Sequence, residues 1–529
     1  MAVNLDQTSG SGIQATLSYL RSHPIYALYA FCIFIVLRFL TNRYASPLRR
    51  YPGPFLASGT RLWKLYVTLT THQETAYINL HKRYGPIVRT SPTSLSFSHP
   101  AAARTILSAG RGFHKTSFYA VFPPPENPDI FTETDEGEHA RKRRAAGPAY
   151  AMGAMQSAAQ TARIERVVRG LGGRLDGLCE GGGTTGVVVD LGAWVHWFAF
   201  DVLGEVAFGR AWGFLAEGRD VEGCIAAIDA SQRYNGAVGQ VPVLDWVVGR
   251  RSWAWRAWRG VGLGRAPLVT RIAGEEVRRR MEEGGKKEAE GDGEGDLLAQ
   301  LLRAHGRDPE RFTEGDVFAV AHGAIFAGSD STASTMQSFL HHVLRDARIH
   351  ALLLAELDAA TAAGHLSRRP AVPQFAEAQR HLPYFQACLK EAMRLRPAVG
   401  LAMARAVPAG GAEIDGATYP AGTELDVNAW AVHRDADVFG GDAEAYRPER
   451  WLEGEGERAR VMDRHMLQFG GGSHVCIGKN LALLEMNKVL PMLLRDYNME
   501  LVHPERELEF HTYFFVVQKG LDVRISKRE

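Results

Sequence analysis

The chain is poor in cysteine and has almost no net charge. Cys32, Cys179, Cys224, Cys388 and Cys476 are the only five thiols in 529 residues. They are scattered, odd in number and free of any C-x-x-C pair, which argues against a disulfide framework and against a zinc site. Reducing surroundings follow for the main body. A net charge of +2 is too small to indicate nucleic acid as a partner. There is no internal repeat and no visible flavin- or nucleotide-binding domain. The length suits a large core, and two or three domains by size alone.

What is present begins with an apolar run from Pro24 to Leu40. It is slightly shorter than the ~20 residues of a spanning helix. Arg38 can snorkel to one interface, and Tyr26 and Tyr29 suit the other. Arg43, Arg49 and Arg50 follow, so the positive-inside rule puts the C-terminal bulk in the cytosol. A cleaved signal peptide fits less well, because the charge follows the apolar run and no small-x-small site is evident. Tyr51-Pro-Gly-Pro54 then forms a stiff turn. The reading is a lumenal segment over 1–23, an anchor over 24–41, a basic, proline-rich hinge over 42–54 and a body over 55–529.

Most of the body reads as helix. Asp190 to Phe208, Thr313 to Arg345 and Phe385 to Leu395 carry helical spacing, and Thr313 is a natural N-cap with acids behind it. Strand-like pieces occur at Ile87–Thr90, Glu413–Tyr419, Glu424–Asn428 and Phe514–Val516. The expected class is mainly α with a small antiparallel β component. The glycine-rich 169–187 and the charged Gly284 to Asp296 read as loose surface segments.

The segment with most chemical content is Phe469-Gly-Gly-Gly-Ser-His-Val-Cys-Ile-Gly478. Its glycines let the backbone fold tightly against something large and flat. A free cysteine usually packs as a small hydrophobe. Cys476, however, stands at the mouth of a helical stretch, Lys479 to Leu490, where unpaired N–H groups stabilise a thiolate. A thiolate so presented suits haem iron, where it favours O–O cleavage.

Phe469, Gly472, His474, Cys476 and Gly478 resemble, in type and spacing, the haem-binding signature of the cytochrome P-450 superfamily. His474 departs from the usual Arg; an imidazole can still donate to a haem propionate, with a charge that depends on pH near neutrality. Further segments carry the same resemblance in order. Glu391 and Arg394 share a helix face that Pro397 ends. With Arg450 of Tyr446-Arg-Pro-Glu-Arg-Trp451, the resemblance implies a buried three-charge network that locks the fold and the cysteine loop. Ala327-Gly-Ser-Asp-Ser-Thr332 resembles the oxygen-groove motif. There Asp330 is the acid, Ser331 stands where Thr is usual and Thr332 follows; Ser331 or Thr332 can bond back to a carbonyl and open the helix. His139 and Arg143, in Glu138 to Arg144, and Arg405 match propionate-binding positions. Arg141, Lys142 and Arg144 read as a solvent-facing patch for an acidic reductase. Val399, Leu401 and Met403 would line the substrate side, with Ala120 to Pro125, Arg233 to Val241, Phe326 and Phe514 as further pocket residues. Phe200 to Gly209 looks similar to a segment of filamentous-fungal members.

The resemblance spans the chain from hinge to C-terminus. It implies the cytochrome P-450 fold behind one transmembrane helix in the endoplasmic reticulum membrane, and a haem-thiolate monooxygenase with heme b. The enzyme would insert one atom of dioxygen into a hydrophobic secondary metabolite. Electrons would come from NADPH through a separate reductase. The alternative within the same chemistry is an isomerase or dehydratase needing no external reductant, which can dispense with the Asp330–Ser331 pair. A haem electron carrier or sensor is the non-enzymatic reading, and a carrier would need a second axial ligand that is not evident near Gly328.

Overall fold

The computed structural model describes residues 24–122, 127–182, 186–247, 249–253, 257, 268–287 and 295–528. The helices that position the site are α1 (Pro24–Tyr44), α2 (Glu136–Ala146), α3 (Ala158–Gly182), α4 (Leu191–Phe208), α5 (Cys224–Gln240), α6 (Glu314–Gly328), α7 (Asp330–Arg345), α8 (Pro383–Leu395) and α9 (Lys479–Asp496). The strands among the described residues are, in chain order, β1 (Ile87–Arg89), β2 (Ser94–Phe97), β3 (His114–Lys115), β4 (Val187–Asp190), β5 (Met403–Ala406), β6 (Ala412–Ile414), β7 (Ala417–Tyr419), β8 (Glu424–Val427), β9 (Tyr497–Leu501), β10 (Glu509–Thr512), β11 (Val516–Lys519) and β12 (Asp522–Lys527). The main sheet has the order β1-β2-β8-β5-β3. All its pairs are antiparallel except β2 with β8, which is parallel. The molecule is thus mainly α with small, chiefly antiparallel sheets.

Helices α3, α4, α7, α8 and α9 enclose one apolar core, with Leu171, Val195, Phe198, Met336, Phe385 and Leu490 all buried. Each such side chain contributes roughly 1.5–3 kcal/mol. This burial corrects the expectation for 169–187. Helix α3 runs through that stretch to Gly182. Its Ile164, Val167, Val168, Leu171, Leu175 and Cys179 face the core at helical spacing, and the packing outweighs a glycine cost of about 1 kcal/mol each. Of Gly284 to Asp296, residues up to Lys287 continue a helix from Leu268, 288–294 lie outside the described residues, and Asp296 N-caps the next helix.

The expected long helix from Thr313 opens with a full capping box between Thr313 and Asp316. It is divided at Ser329 into α6 and α7. Helix α1 extends to Tyr44, and its stretch Ile25–Tyr44 has a mean hydropathy of 1.8 with none of it buried. Its last turn is held to the body. Asn42 Nδ2 donates to the Gly59 carbonyl at 2.9 Å, and the buried Arg89 guanidinium donates to the carbonyl of Asn42 at 2.8 Å. Strand Phe514–Val516 begins only at Val516, with Phe515 making a single bridge to Val399.

Candidate active site

The loop before α9 folds back on itself. Cys476 N–H donates to the Phe469 carbonyl at 2.8 Å, and Gly470 N–H to that of Leu467 at 2.8 Å. Gly472 has φ +60°, and a Cβ there would collide with the Leu107 carbonyl oxygen, so only glycine fits. Gly472 thus shapes the loop without reaching the cavity. A Cβ on Gly478 would instead meet nothing closer than Cys476 Sγ at 3.9 Å. The Cys476 side chain has open surface although it sits deep in the molecule, because that surface faces an internal cavity. Burial raises the thiol, while the N–H groups of Gly478 and Lys479 and the charge of Arg143 pull it down.

Above Cys476 the cavity is walled by α6 and α7. Ala327, Gly328, Ser331, Thr332 and Thr335 line it. Ser331 Oγ donates to the Ala327 carbonyl at 2.9 Å and Thr332 Oγ1 to that of Gly328 at 3.1 Å, the back-bonding expected where the ladder opens. Asp330 does not line the cavity. It is 4 % exposed and turns the other way, accepting from His196 Nε2 at 2.9 Å and from Gln232 Nε2 at 2.6 Å.

One edge of the cavity collects cations. Lys115 and Arg405 are register partners on β3 and β5, and both are buried. Mainly burial, and then the Arg405 charge, bring the Lys115 ammonium down to about 7. Arg405 donates to Tyr119 Oη at 2.7 Å. Arg143 is half-buried at the cavity wall with no hydrogen-bond or ion-pair partner among the described residues, and burial lowers its guanidinium. The rings of His139 and His474 lie 4.2 Å apart. Burial and the nearby cations press His139 to about 4 and His474 to about 2. Burial and the surrounding cations thus disfavour the charged form of both rings. His474 meets Glu136, Nε2 to Oε1 at 3.0 Å. His139 Nε2 and His474 Nδ1 are buried without a partner.

These features fit a haem. A thiol faces a cavity beside a glycine that leaves room for a flat ring. Unpaired guanidinium and imidazole groups stand at one edge, where carboxylates of propionates would satisfy them. Opposite lies an aromatic and aliphatic wall of Phe326, Phe514, Val399, Leu401 and Met403, as expected, with Phe131 and Phe515 added. Ala120 to Phe122 and Arg233 to Val241 do not reach the cavity; Tyr119 does, and Arg233 stacks on Tyr513 instead. Pro123 to Pro125 lie outside the described residues. Lys115, Tyr119 and Glu485 escaped sequence reasoning. A two-residue strand has no readable periodicity. Glu485 is buried with Oε2 unpaired, and burial holds its carboxyl well above the usual range.

The three-charge network is complete. Glu391, Arg394 and Arg450 are each fully buried. Arg394 forks onto Glu391 at 2.9 and 2.8 Å, and Arg450 Nε donates to Glu391 Oε1 at 2.9 Å. Trp451 Nε1 adds a donor to Oε2 at 2.8 Å. Carbonyls of His433, Ala443 and Ala445 take the remaining Arg394 protons. The patch expected from Arg141, Lys142 and Arg144 is largely spent inside the protein. Lys142 is buried on Glu133 at 2.8 Å and Arg141 pairs with Asp316 at 2.8 Å, leaving Arg144 exposed. Their neighbours supply carboxylates, which an isolated charge run does not reveal.

The model of the Cytochrome P450 family matches residues 52–523. The chain is 33% identical over 485 residues to the cytochrome P450 monooxygenase cicH of Emericella nidulans, covering 91% of this chain and 94% of that one. It is 31% identical over 522 residues to the cytochrome P450 monooxygenase gsfF of Penicillium aethiopicum, covering 97% and 99%. A pisatin demethylase of Fusarium vanettenii is 31% identical over 489 residues, 91% of each chain. With a cysteine thiol facing a cation-edged cavity and such matches along nearly its whole length, the chain belongs to the cytochrome P450 family and is a haem-thiolate monooxygenase.

Proposed function

We propose that the enzyme inserts one atom of dioxygen into a hydrophobic secondary metabolite, drawing two electrons from NADPH through a separate reductase. The observation that carries this reading is the cavity itself, with Cys476 on one side, back-bonded hydroxyls on another and an aromatic wall between. Relatives include a fungal pisatin demethylase and other fungal monooxygenases, which supports a small apolar substrate. The exposed apolar helix α1 and the arginines after it support a single-pass anchor in the endoplasmic reticulum membrane, with 1–23 lumenal and the catalytic body cytosolic.

Cys476 would ligate the iron, and Arg143, Arg405, His139 and His474 would take the propionates, with Lys115 beside them. When bound, the haem supplies the oxidising chemistry. The protein's part is to bind, orient and deliver protons. Phe326, Phe514 and Leu401 exclude water and hold the substrate over the cavity. Ser331 Oγ and Thr332 Oγ1, already donors to Ala327 and Gly328, stand where a proton passes from helix to cavity. Asp330, one residue away and held on His196 and Gln232, is the acid that would supply it by turning from them toward the hydroxyls. This acid–hydroxyl pair favours monooxygenation over the reductant-free isomerase or dehydratase reading.

The test is a reduced, carbon-monoxide-bound absorption spectrum of the protein and of Cys476→Ala. A red-shifted thiolate band is expected in the first and not in the second. Its absence from the unmutated protein removes the assignment of Cys476. NADPH-dependent turnover separates monooxygenation from isomerisation.

A further inference from the structure

Asp330 has no direct route to water. Its side chain is 3 % exposed, while that of His196, bonded to Oδ1 at 2.9 Å, is 17 % exposed. Gln232 Nε2 holds the other oxygen at 2.6 Å and carries no titratable proton. His196 is thus the titratable contact of Asp330 among the described residues, and it alone of the two reaches solvent. One turn before Gln232, Asp229 is half-buried on the same face of α5, with Oδ1 buried and unpartnered. Burial first, then the Asp330 charge, raise its carboxyl to about 6. Asp229 on α5 feels Asp330 on α7, His196 on α4, Lys519 on β11 and Arg233 on α5, and the buried Cys224 thiol of α5 feels Asp330 as well. The Phe200 ring, 5.3 Å from His196, closes the inner side.

We propose that His196 is a positioning residue that recharges Asp330 with protons from solvent. This rests on the reading of Asp330 as the proton-supplying acid. A proton enters the ring at Nδ1 and the Nε2 proton passes to Asp330 Oδ1. The ring is left neutral with its proton on Nδ1, and exchange with water restores the Nε2–H form. One proton moves inward, and no electron or other bond is involved. Imidazole suits this step because it exchanges protons near neutrality.

Two measurements test it. In the holoenzyme labelled with 13C at histidine, His196 is assigned by His196→Gln, and its ring is followed from pH 5 to 9 with Asp330 and with Asp330→Asn. The His196 signal is expected to change with pH, and that response to differ in Asp330→Asn. Second, His196→Gln keeps an N–H for Oδ1 but cannot cycle a proton. NADPH oxidation with the reductase is expected to fall about tenfold and its solvent deuterium isotope effect to rise at least twofold, with the carbon-monoxide band unmoved. A ring that does not titrate overturns the proposal, and this readout on the unmutated protein decides alone if the variant fails to fold. Unchanged oxidation and isotope effect in His196→Gln also overturn it. If Asp330→Asn is equally silent, the assignment of Asp330 fails with it; if Asp330→Asn is impaired and His196→Gln is not, the role of His196 alone fails.

Discussion

His433 joins Arg394 to Leu467. Its Nε2 accepts the Leu467 amide at 2.7 Å and its Nδ1 meets the Arg394 carbonyl at 3.0 Å. Because Leu467 can only donate, the ring proton belongs on Nδ1. Arg394 in turn donates to the His433 carbonyl at 2.8 Å. The Glu391–Arg394–Arg450 network is therefore coupled directly to the start of the loop that presents Cys476. A buried charge network is weak evidence for stability by itself; its connection to Leu467 gives it a task.

Replacing His433 by Ala would leave the Leu467 amide and the Arg394 carbonyl without partners, at about 1–3 kcal/mol each. The expected result is a Tm lower by several degrees and a reduced haem-to-protein absorbance ratio. His433→Gln, with one donor and one acceptor, should recover part of both. Full haem content and an unchanged Tm in His433→Ala would remove the coupling.

Acid should destabilise the fold through its buried neutral histidines. Burial presses His433 to about 3 and His322 and His341 to about 4. The unfolded chain takes up these protons near 6.5. Below that value the unfolded state binds more protons than the native one, so stability falls as pH falls, down to the folded values near 3–4. Each histidine contributes a slope of about 1.4 kcal/mol per pH unit within that window, and none above it. Urea midpoints at pH 7.5 and pH 5 check the sign, and His433→Gln should show a shallower fall between them.

Ser331 keeps the hydroxyl of the groove but lacks the β-methyl that stiffens χ1. Its single hydrogen bond to Ala327 leaves the rotamer less restrained than threonine would be. Ser331→Thr is expected to lower the hydrogen peroxide released per NADPH by roughly twofold. Equal peroxide yields in both proteins would mean that the missing methyl has no effect on coupling.

Much of the site was legible before the structure. Motif spacing and the family resemblance it carries brought out Cys476 and the hydroxyls of the groove; spacing put Glu391 and Arg394 on one helix face, and only the resemblance implied that Arg450 joins them. Helices α4 and α8 were legible through their apolar periodicity. Glycine misled over α3, where its local cost was read without the core face that outweighs it.

The amino-acid order by itself determined which residue can ligate iron, where the long helix opens and that an apolar segment precedes the body. Those properties depend on neighbours within a turn or two. Only the tertiary structure decided that Lys115 stands beside Arg405, that Arg141 and Lys142 turn inward, that His474 packs against His139 and that Asp330 faces His196 rather than the cavity. Each of these depends on burial and on charges brought from distant parts of the chain, and both the desolvation of a group and the distance to its partner are set by packing.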